Sequence, residues 1–458
     1  MKLHAKATGR LIGHIGFLLL LVMSVVLAKE RVLFVDSAAQ LFELIQRGTF
    51  VIYDHRYTMA VTQLLPLAGI KLGLPMPMLV VLYSLSAPLL AYLAFLLLAY
   101  CVKDLRLALL LLLPMLCLRH TFFHAISETF SMMIYATLLL ALLRHRRNTV
   151  LHAVGIFLCT LACVFMHPIG IFFVLFLLGY HLVDNGFKPT SSFLVGTVTL
   201  LAAAAVKIQL PSGHDAGYMP SVADVFHCLG HPAEMQVVRH LFDRVSGLYI
   251  YPLALYAIVF VLHLRRRQWP RLAWGLLFNV AFILMTAVVY RADAGHISVE
   301  RAWLPLIFFA GVPFVCECRP RRPQVVLLLF SALLLLAYGR VVDISKHYRH
   351  RLSALETLVE QGRRDGHRKL VVEAADFDPR FRVSSWATAF ETMMLSSMQG
   401  PDGTVTLYLE ELPFSDANPD YQVLDAYLAV PWNRLWNYST LDPRYFRLPP
   451  QPYVLLVD

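Results

Sequence analysis

The chain has 458 residues, of which 58% are hydrophobic and only 15% charged. That composition excludes an ordinary soluble domain, in which about 25% of residues are charged. The formal net charge of +10 is scattered over short basic clusters and forms no single stripe, so it argues for membrane orientation and against nucleic acid as a partner.

Apolar runs of roughly 17 to 25 residues, long enough to cross about 30 Å of hydrocarbon as helix, centre on residues 11–28, 79–101, 124–143, 149–166, 190–207, 248–264, 272–290 and 324–339. Shorter candidates lie at 105–118, 168–183 and 302–317. The expected fold class is an all-α polytopic membrane protein of about eleven spans with a small C-terminal α/β domain. The first run starts basic, as a signal peptide does, but Lys29-Glu30-Arg31 follows in place of a small-residue cleavage site. It therefore reads as a retained anchor. In the loop 29–76, the stretch 57–73 holds Gln63, Pro66 and Lys71 and reads as an interfacial helix.

Short cytoplasmic loops collect Lys and Arg. The clusters fall at Lys2, Lys6 and Arg10, at Lys103 and Arg106, at Arg144, Arg146 and Arg147, at Lys188, at Arg265 to Arg267 with Arg271, and at Arg319, Arg321 and Arg322. With about eleven spans every cluster is cytoplasmic, whereas a further span at 57–73 would put those at Arg144 and Arg265 outside. The expected protein is integral to a bacterial inner (cytoplasmic) membrane, with a cytoplasmic N-terminus, an extracytoplasmic C-terminus, and the long loops 29–76 and 209–247 outside.

Composition changes near residue 341, which divides a transmembrane domain, 1–340, from an extracytoplasmic domain, 341–458. The second part predicts an amphipathic helix over 344–361, a strand at Lys369 to Glu373, a helix near 384–398, and strands near 404–409 and 452–457. The seven cysteines give no disulfide framework, since only Cys228 lies in a long outer loop. Cys316-Glu317-Cys318 lacks a second ligand pair for zinc, and no GxGxxG, GxxxxGK[ST], GxSxG or HExxH pattern occurs.

Ionisable groups beside hydrocarbon are costly and mark function. The segment after the first span supplies Asp36 and then Tyr53-Asp54-His55-Arg56-Tyr57. Asp36 also suits the N-cap of a helix beginning near Ser37, and Asp54-His55-Arg56 also suits a solvated turn. Arg56, Arg119, Arg291 and Arg301 fall at outer ends of spans, where a guanidinium either grips phosphate or snorkels. His124 and Glu128 are one helical turn apart in a span and either line a polar cavity or lock helices together. His167 precedes Pro168 at a junction of spans, suited to a cap or to ligand contact. His214, Asp215, Asp224, His227, His231 and His240 crowd the loop 209–247 without a standard zinc spacing.

The chain resembles the membrane glycosyltransferases of the GT-C fold, which include protein mannosyltransferases and the aminoarabinose transferase that modifies lipid A. The counterparts are Asp36 shortly after the first span, the helix Ala38 to Gln46, Arg56-Tyr57, and Leu65-Pro66-Leu67-Ala68-Gly69-Ile70-Lys71-Leu72-Gly73. A second patch is Glu300-Arg301-Ala302-Trp303-Leu304-Pro305. The resemblance implies inverting transfer of a sugar, of hexosyltransferase type, from a polyprenyl-phosphate donor to an extracytoplasmic lipid, glycan or protein. Weighed against that chemistry, Asp36 is the candidate base, with Asp54 the rival, and the candidate substrate contacts are Arg301, Arg56, His55, Glu128, His124, Arg119, His167, Arg291 and Glu300. Many relatives carry a paired Asp-Glu where this chain has Asp36-Ser37, so a divalent metal remains an open cofactor and its ligands are unassigned. Membrane lipids are the expected surroundings. A transporter or flippase of a lipid-linked or anionic substrate, and a non-catalytic assembly protein of the same fold, are the alternatives.

The cationic clusters make a prediction. Tags inserted after Arg147 and after Arg267 are shielded from membrane-impermeant reagents in intact cells, and a tag after Asp458 is accessible. A shielded C-terminus overturns the count of spans.

Overall fold

A computed structural model describes residues 2–145, 149–210, 212, 222–231, 236–243, 247, 249–290, 296–320, 322–373, 387–410, 427–430, 434–437 and 441–456. Arg291 and the pair His214-Asp215 lie outside these.

The first half holds α1 (Lys2–Val26), α2 (Ala28–Val32), α3 (Val35–Arg47), α4 (Ala60–Lys71), α5 (Met76–Leu96), α6 (Leu105–Leu110), α7 (Glu128–Arg144), α8 (Val150–Val164), α9 (Gly170–Asp184) and α10 (Ser191–Gln209). Next come α11 (Val222–Gly230), α12 (Gln236–Asp243), α13 (Ile250–Arg265), α14 (Trp269–Val289), α15 (His296–Trp303), α16 (Pro305–Glu317) and α17 (Pro323–Arg364). Polar caps start several of them: Asp104 accepts from the Leu107 amide, Ser127 from Phe130, Thr149 from His152 and Thr190 from Phe193. Pro305 and Pro323 open α16 and α17, where a missing N–H costs nothing.

Among the described residues, five helices are long and apolar enough to cross a membrane: Lys6–Val26, Met76–Cys101 including its final π turn, Ser191–Gln209, Trp269–Val289 and the apolar part of Pro323–Arg364. Two expected spans take other forms, and the stretch expected to be interfacial is a short helix. The run 105–118 is broken into α6 and a 3₁₀ turn at Leu113–Leu116, as Pro114 removes a backbone donor. The stretch 57–73 is a 3₁₀ turn, Tyr57–Met59, followed by the 12-residue α4. At 1.5 Å per residue α4 spans about 18 Å, too short to cross. The helix expected from residue 124 begins at Glu128, because His124 is extended after a 3₁₀ turn at Thr121–Phe123.

Residue 341 is not a structural break. α17 continues for 42 residues, from an apolar half into a polar one that packs on the C-terminal domain. That domain has a parallel sheet in the order β2 (Thr406–Glu410), β1 (Lys369–Glu373), β5 (Val454–Leu455), with Lys369 opposite Thr406 and Val371 opposite Leu455. α18 (Thr388–Ser396) lies between β1 and β2 in sequence and packs on β2, α3 and α17. An antiparallel pair, β3 (Tyr427–Val430) with β4 (Arg434–Asn437), was not expected from the sequence. Phe42 of α3 meets Phe390 and Phe446 at ring distances of 4.8 and 5.1 Å, joining the domain to the helix that follows the first span. One hydrophobic core runs from α1 through the bundle to this domain.

The turn between α8 and α9, which carries His167, is tight at Gly170. A Cβ there would lie 2.0 Å from the Cys163 carbonyl oxygen, a backbone atom that cannot yield. Gly170→Ala is therefore expected to lower stability by about 1 to 3 kcal/mol, whereas Gly275→Ala, with open space around it, is neutral or gains up to about 1 kcal/mol from helix propensity. Thermal midpoints of the purified variants check the pair.

Candidate functional site

Glu128 is the first residue of α7, where Ser127 caps the helix and the positive end of its dipole favours a carboxylate. Its side chain is only 7% exposed, and both oxygens are engaged. Oε1 accepts from Arg56 at 2.5 Å, and Oε2 pairs with Arg301 of α15. Arg56 also stands 3.8 Å from the Asp54 carboxylate. The charge of His167 reaches Glu128 as well. Burial opposes the charge on Arg301, yet Glu128 and then Asp36 outweigh it and raise the guanidinium's pKa above its ordinary value. The electrostatics of Asp36 also reach Tyr53 and Tyr83. Asp36, Arg56, Glu128, His167 and Arg301 thus share one electrostatic neighbourhood, although they come from five separate segments.

The loop 119–127 forms the wall of this neighbourhood and is largely buried. Its backbone groups need partners. Glu300 supplies three: its carboxylate accepts from the amides of Arg119 at 2.6 Å, His120 at 2.9 Å and Thr121 at 3.0 Å, and from the Thr121 hydroxyl. Arg31 donates to the Phe122 carbonyl at 2.8 Å and to the Ser84 carbonyl and hydroxyl at 2.7 and 2.9 Å. Ser37 accepts from the Ala125 amide at 3.1 Å. Tyr348 of α17 stacks on Phe123 at 4.0 Å and reaches His120 Nδ1 at 3.2 Å. Beneath the loop is a cavity of about 20 Å³ bordered by Leu20, Arg31, Met115, His124 and Phe130, large enough for one water.

The geometry redraws several roles. Asp36 is not the N-cap of its helix: α3 starts at Val35, Phe34 holds the cap position, and Asp36 sits half-buried in the first turn. His124 and Glu128 do not share a helix face, since His124 precedes the helix. Its ring packs edge-on to Phe34 at 5.1 Å, and its Nε2 is buried without a hydrogen-bond partner among the described residues. The Glu300 carboxylate, expected to meet substrate, is taken up by the loop's own donors. The charge of Arg119 reaches Tyr348 and Asp343 of α17. Asp54 and His55 form a turn with left-handed φ angles of 52° and 55°. That turn is pinned by His55 Nδ1 to the Leu210 carbonyl at 3.1 Å and by Lys207, which donates to the Asp54 carbonyl at 3.4 Å.

In the loop 209–247, the rings of His227 and His231 stack at 4.5 Å. Among the described residues no group of three or more His, Cys, Asp or Glu is placed to hold a metal. Both oxygens of Glu128 are taken by guanidiniums, which leaves that carboxylate poorly suited to hold a divalent cation.

Sequence reasoning missed the buried pair Arg351–Glu391, whose partners are 3% and 0% exposed. It also missed Tyr83, which donates to Gln40. Only the charge of a lone Glu in an apolar helix, Ala389-Phe390-Glu391-Thr392-Met393, hinted at the first. No family model, no curated protein and no solved structure matches the chain.

Glu300→Gln keeps the shape of the side chain but turns an amide nitrogen toward at least one backbone donor. The variant is expected to lose about 1 to 3 kcal/mol, the cost of a buried unsatisfied polar group, read as a lower thermal midpoint. An unchanged midpoint overturns the anchoring role.

Proposed function

We propose that the chain is a polytopic membrane glycosyltransferase of the GT-C type, transferring a sugar from a polyprenyl-phosphate donor to an acceptor outside the cytoplasm. The observation that carries this reading is the joining of Arg56 and Arg301 through Glu128 within electrostatic reach of Asp36. The cluster joins the turn after Tyr53, α7 and α15, in a chain with several helices fit to cross a membrane.

The chemistry needs a base for the acceptor hydroxyl and a cationic group for the departing phosphate. In the proposed step the acceptor oxygen attacks the anomeric carbon and its proton passes to the Asp36 carboxylate. The bond from that carbon to the donor phosphate breaks, and the electron pair leaves on the lipid phosphate. Arg301 and Arg56 stabilise that charge, while Glu128 holds both guanidiniums in place before the donor arrives. Such preorganisation lowers the reorganisation required during reaction. In this reading the cluster faces the extracytoplasmic side, as the distribution of Lys and Arg along the chain suggests.

Membranes containing the protein, supplied with a labelled polyprenyl-phosphate hexose and their native acceptors, are expected to release polyprenyl phosphate. Asp36→Asn lowers turnover by about 10²- to 10⁴-fold, the usual contribution of a general base. Arg301→Ala weakens use of the donor by about 1.5 to 3 kcal/mol, and Arg301→Lys recovers only part of it, because an ammonium lacks the planar fork. Full turnover in Asp36→Asn with loss in Asp54→Asn moves the base to Asp54. Equal behaviour of Lys and Arg at 301 removes the phosphate role.

A further inference from the structure

Asp36 follows two residues that the rest of the molecule grips from opposite sides. Val35 has a φ of 41°, in the left-handed region that a β-branched side chain rarely enters. Its amide donates at 2.6 Å to Oε1 of Glu391, which lies on α18 of the C-terminal domain. The second oxygen of Glu391 pairs with Arg351 of α17. The Arg351 guanidinium sits over the Phe34 ring at 5.2 Å, and Phe34 meets Tyr348 edge-on at 5.0 Å. Just beyond Asp36, Ser37 accepts from the Ala125 amide.

A buried ion pair adds little stability over an apolar pair of the same volume, so attachment of the domain does not by itself call for Glu391 and Arg351. What an apolar pair cannot supply is a charged acceptor for an amide held in a strained backbone. We infer that Glu391, supported by Arg351, is a positioning residue that fixes the first turn of α3 and thereby the placement of Asp36 against Arg301. The C-terminal domain is then a working part of the site. The kinetic side of this inference rests on the proposed sugar transfer, and the structural side does not.

The test uses the full-length protein and the double variant Arg351→Met with Glu391→Leu, which preserves volume and leaves no unpaired charge. Its thermal midpoint is expected to fall only modestly, by what one unpaired amide at Val35 costs, because no buried charge is left alone. Hydrogen exchange of amides 35–39 is expected to rise at least about tenfold, because the acceptor that held the turn is gone. Transfer from the polyprenyl-phosphate hexose is expected to fall by about 10²-fold, in kcat more than in KM, as for a base displaced by roughly 1 Å. If the double variant does not fold, Glu391→Asp takes its place: it keeps the charge, withdraws the carboxylate by one methylene, and carries the same expectation. Unaltered exchange at 35–39 in the folded variant overturns the inference. Faster exchange in a protein that never transfers sugar, mutated or not, leaves the positioning role standing and removes the glycosyltransferase reading alone.

Discussion

The site is organised around the need to neutralise one buried carboxylate. A charge taken from water into apolar surroundings costs several kcal/mol unless it is paired and hydrogen-bonded. Glu128, at the head of α7, meets that need with two guanidiniums and the positive end of its own helix. Those guanidiniums come from the turn after Tyr53 and from α15, residues 72 and 173 positions away in sequence. Pairing therefore fixes three elements relative to one another at the point where they meet. One guanidinium would have neutralised Glu128; the second balances further carboxylates, since Asp54 stands 3.8 Å from Arg56 and the charge of Asp36 reaches Arg301.

The wall of the site follows the same accounting. A buried loop cannot leave amides and carbonyls unpaired, and residues 119–127 have no strand beside them to provide partners. A carboxylate, Glu300, takes the amides at one end, and a guanidinium, Arg31, takes a carbonyl in the middle. Charged groups so used are structural, however close they lie to the chemistry. The adjacent pair Glu300 and Arg301 shows the division, since one faces the loop backbone and the other Glu128.

Much of this architecture was legible. Apolar length marked the long helices, and the polar composition after residue 341 marked a domain with its strands at 369–373 and 406–410 nearly in place. Of the candidate residues, Asp36, Arg56, Glu128, His167 and Arg301 do share one neighbourhood. What failed was local detail and everything decided by contact across the chain. Helical spacing put His124 and Glu128 on one face, because nothing in periodicity reveals a 3₁₀ turn ending at Phe123. The N-cap reading of Asp36 rested on residue preference and lost to a start two residues earlier, at the strained Val35. Glu300 read as a ligand contact because an acid in an apolar stretch looks the same whether it faces a substrate or three backbone amides. The pairing of Arg351 with Glu391 is a tertiary fact with no local signature.

The length of α17 changes how the two parts of the molecule relate. At 1.5 Å per residue its 42 residues span about 63 Å, roughly twice the hydrocarbon thickness. A helix that enters the bundle and leaves it unbroken transmits rotation and tilt, where a flexible linker would absorb them. Tyr338 near its middle donates to the Gly16 carbonyl of α1 at 2.6 Å, and Arg349 pairs with Glu30 at 3.0 Å. Arg351 then meets Glu391 a fraction of a turn further on. Contacts with the first span, with α2 and with the C-terminal domain thus follow one another along one rod. Any displacement of the domain must move that rod against the segment 27–37, and so must disturb the residue on which the proposed chemistry turns.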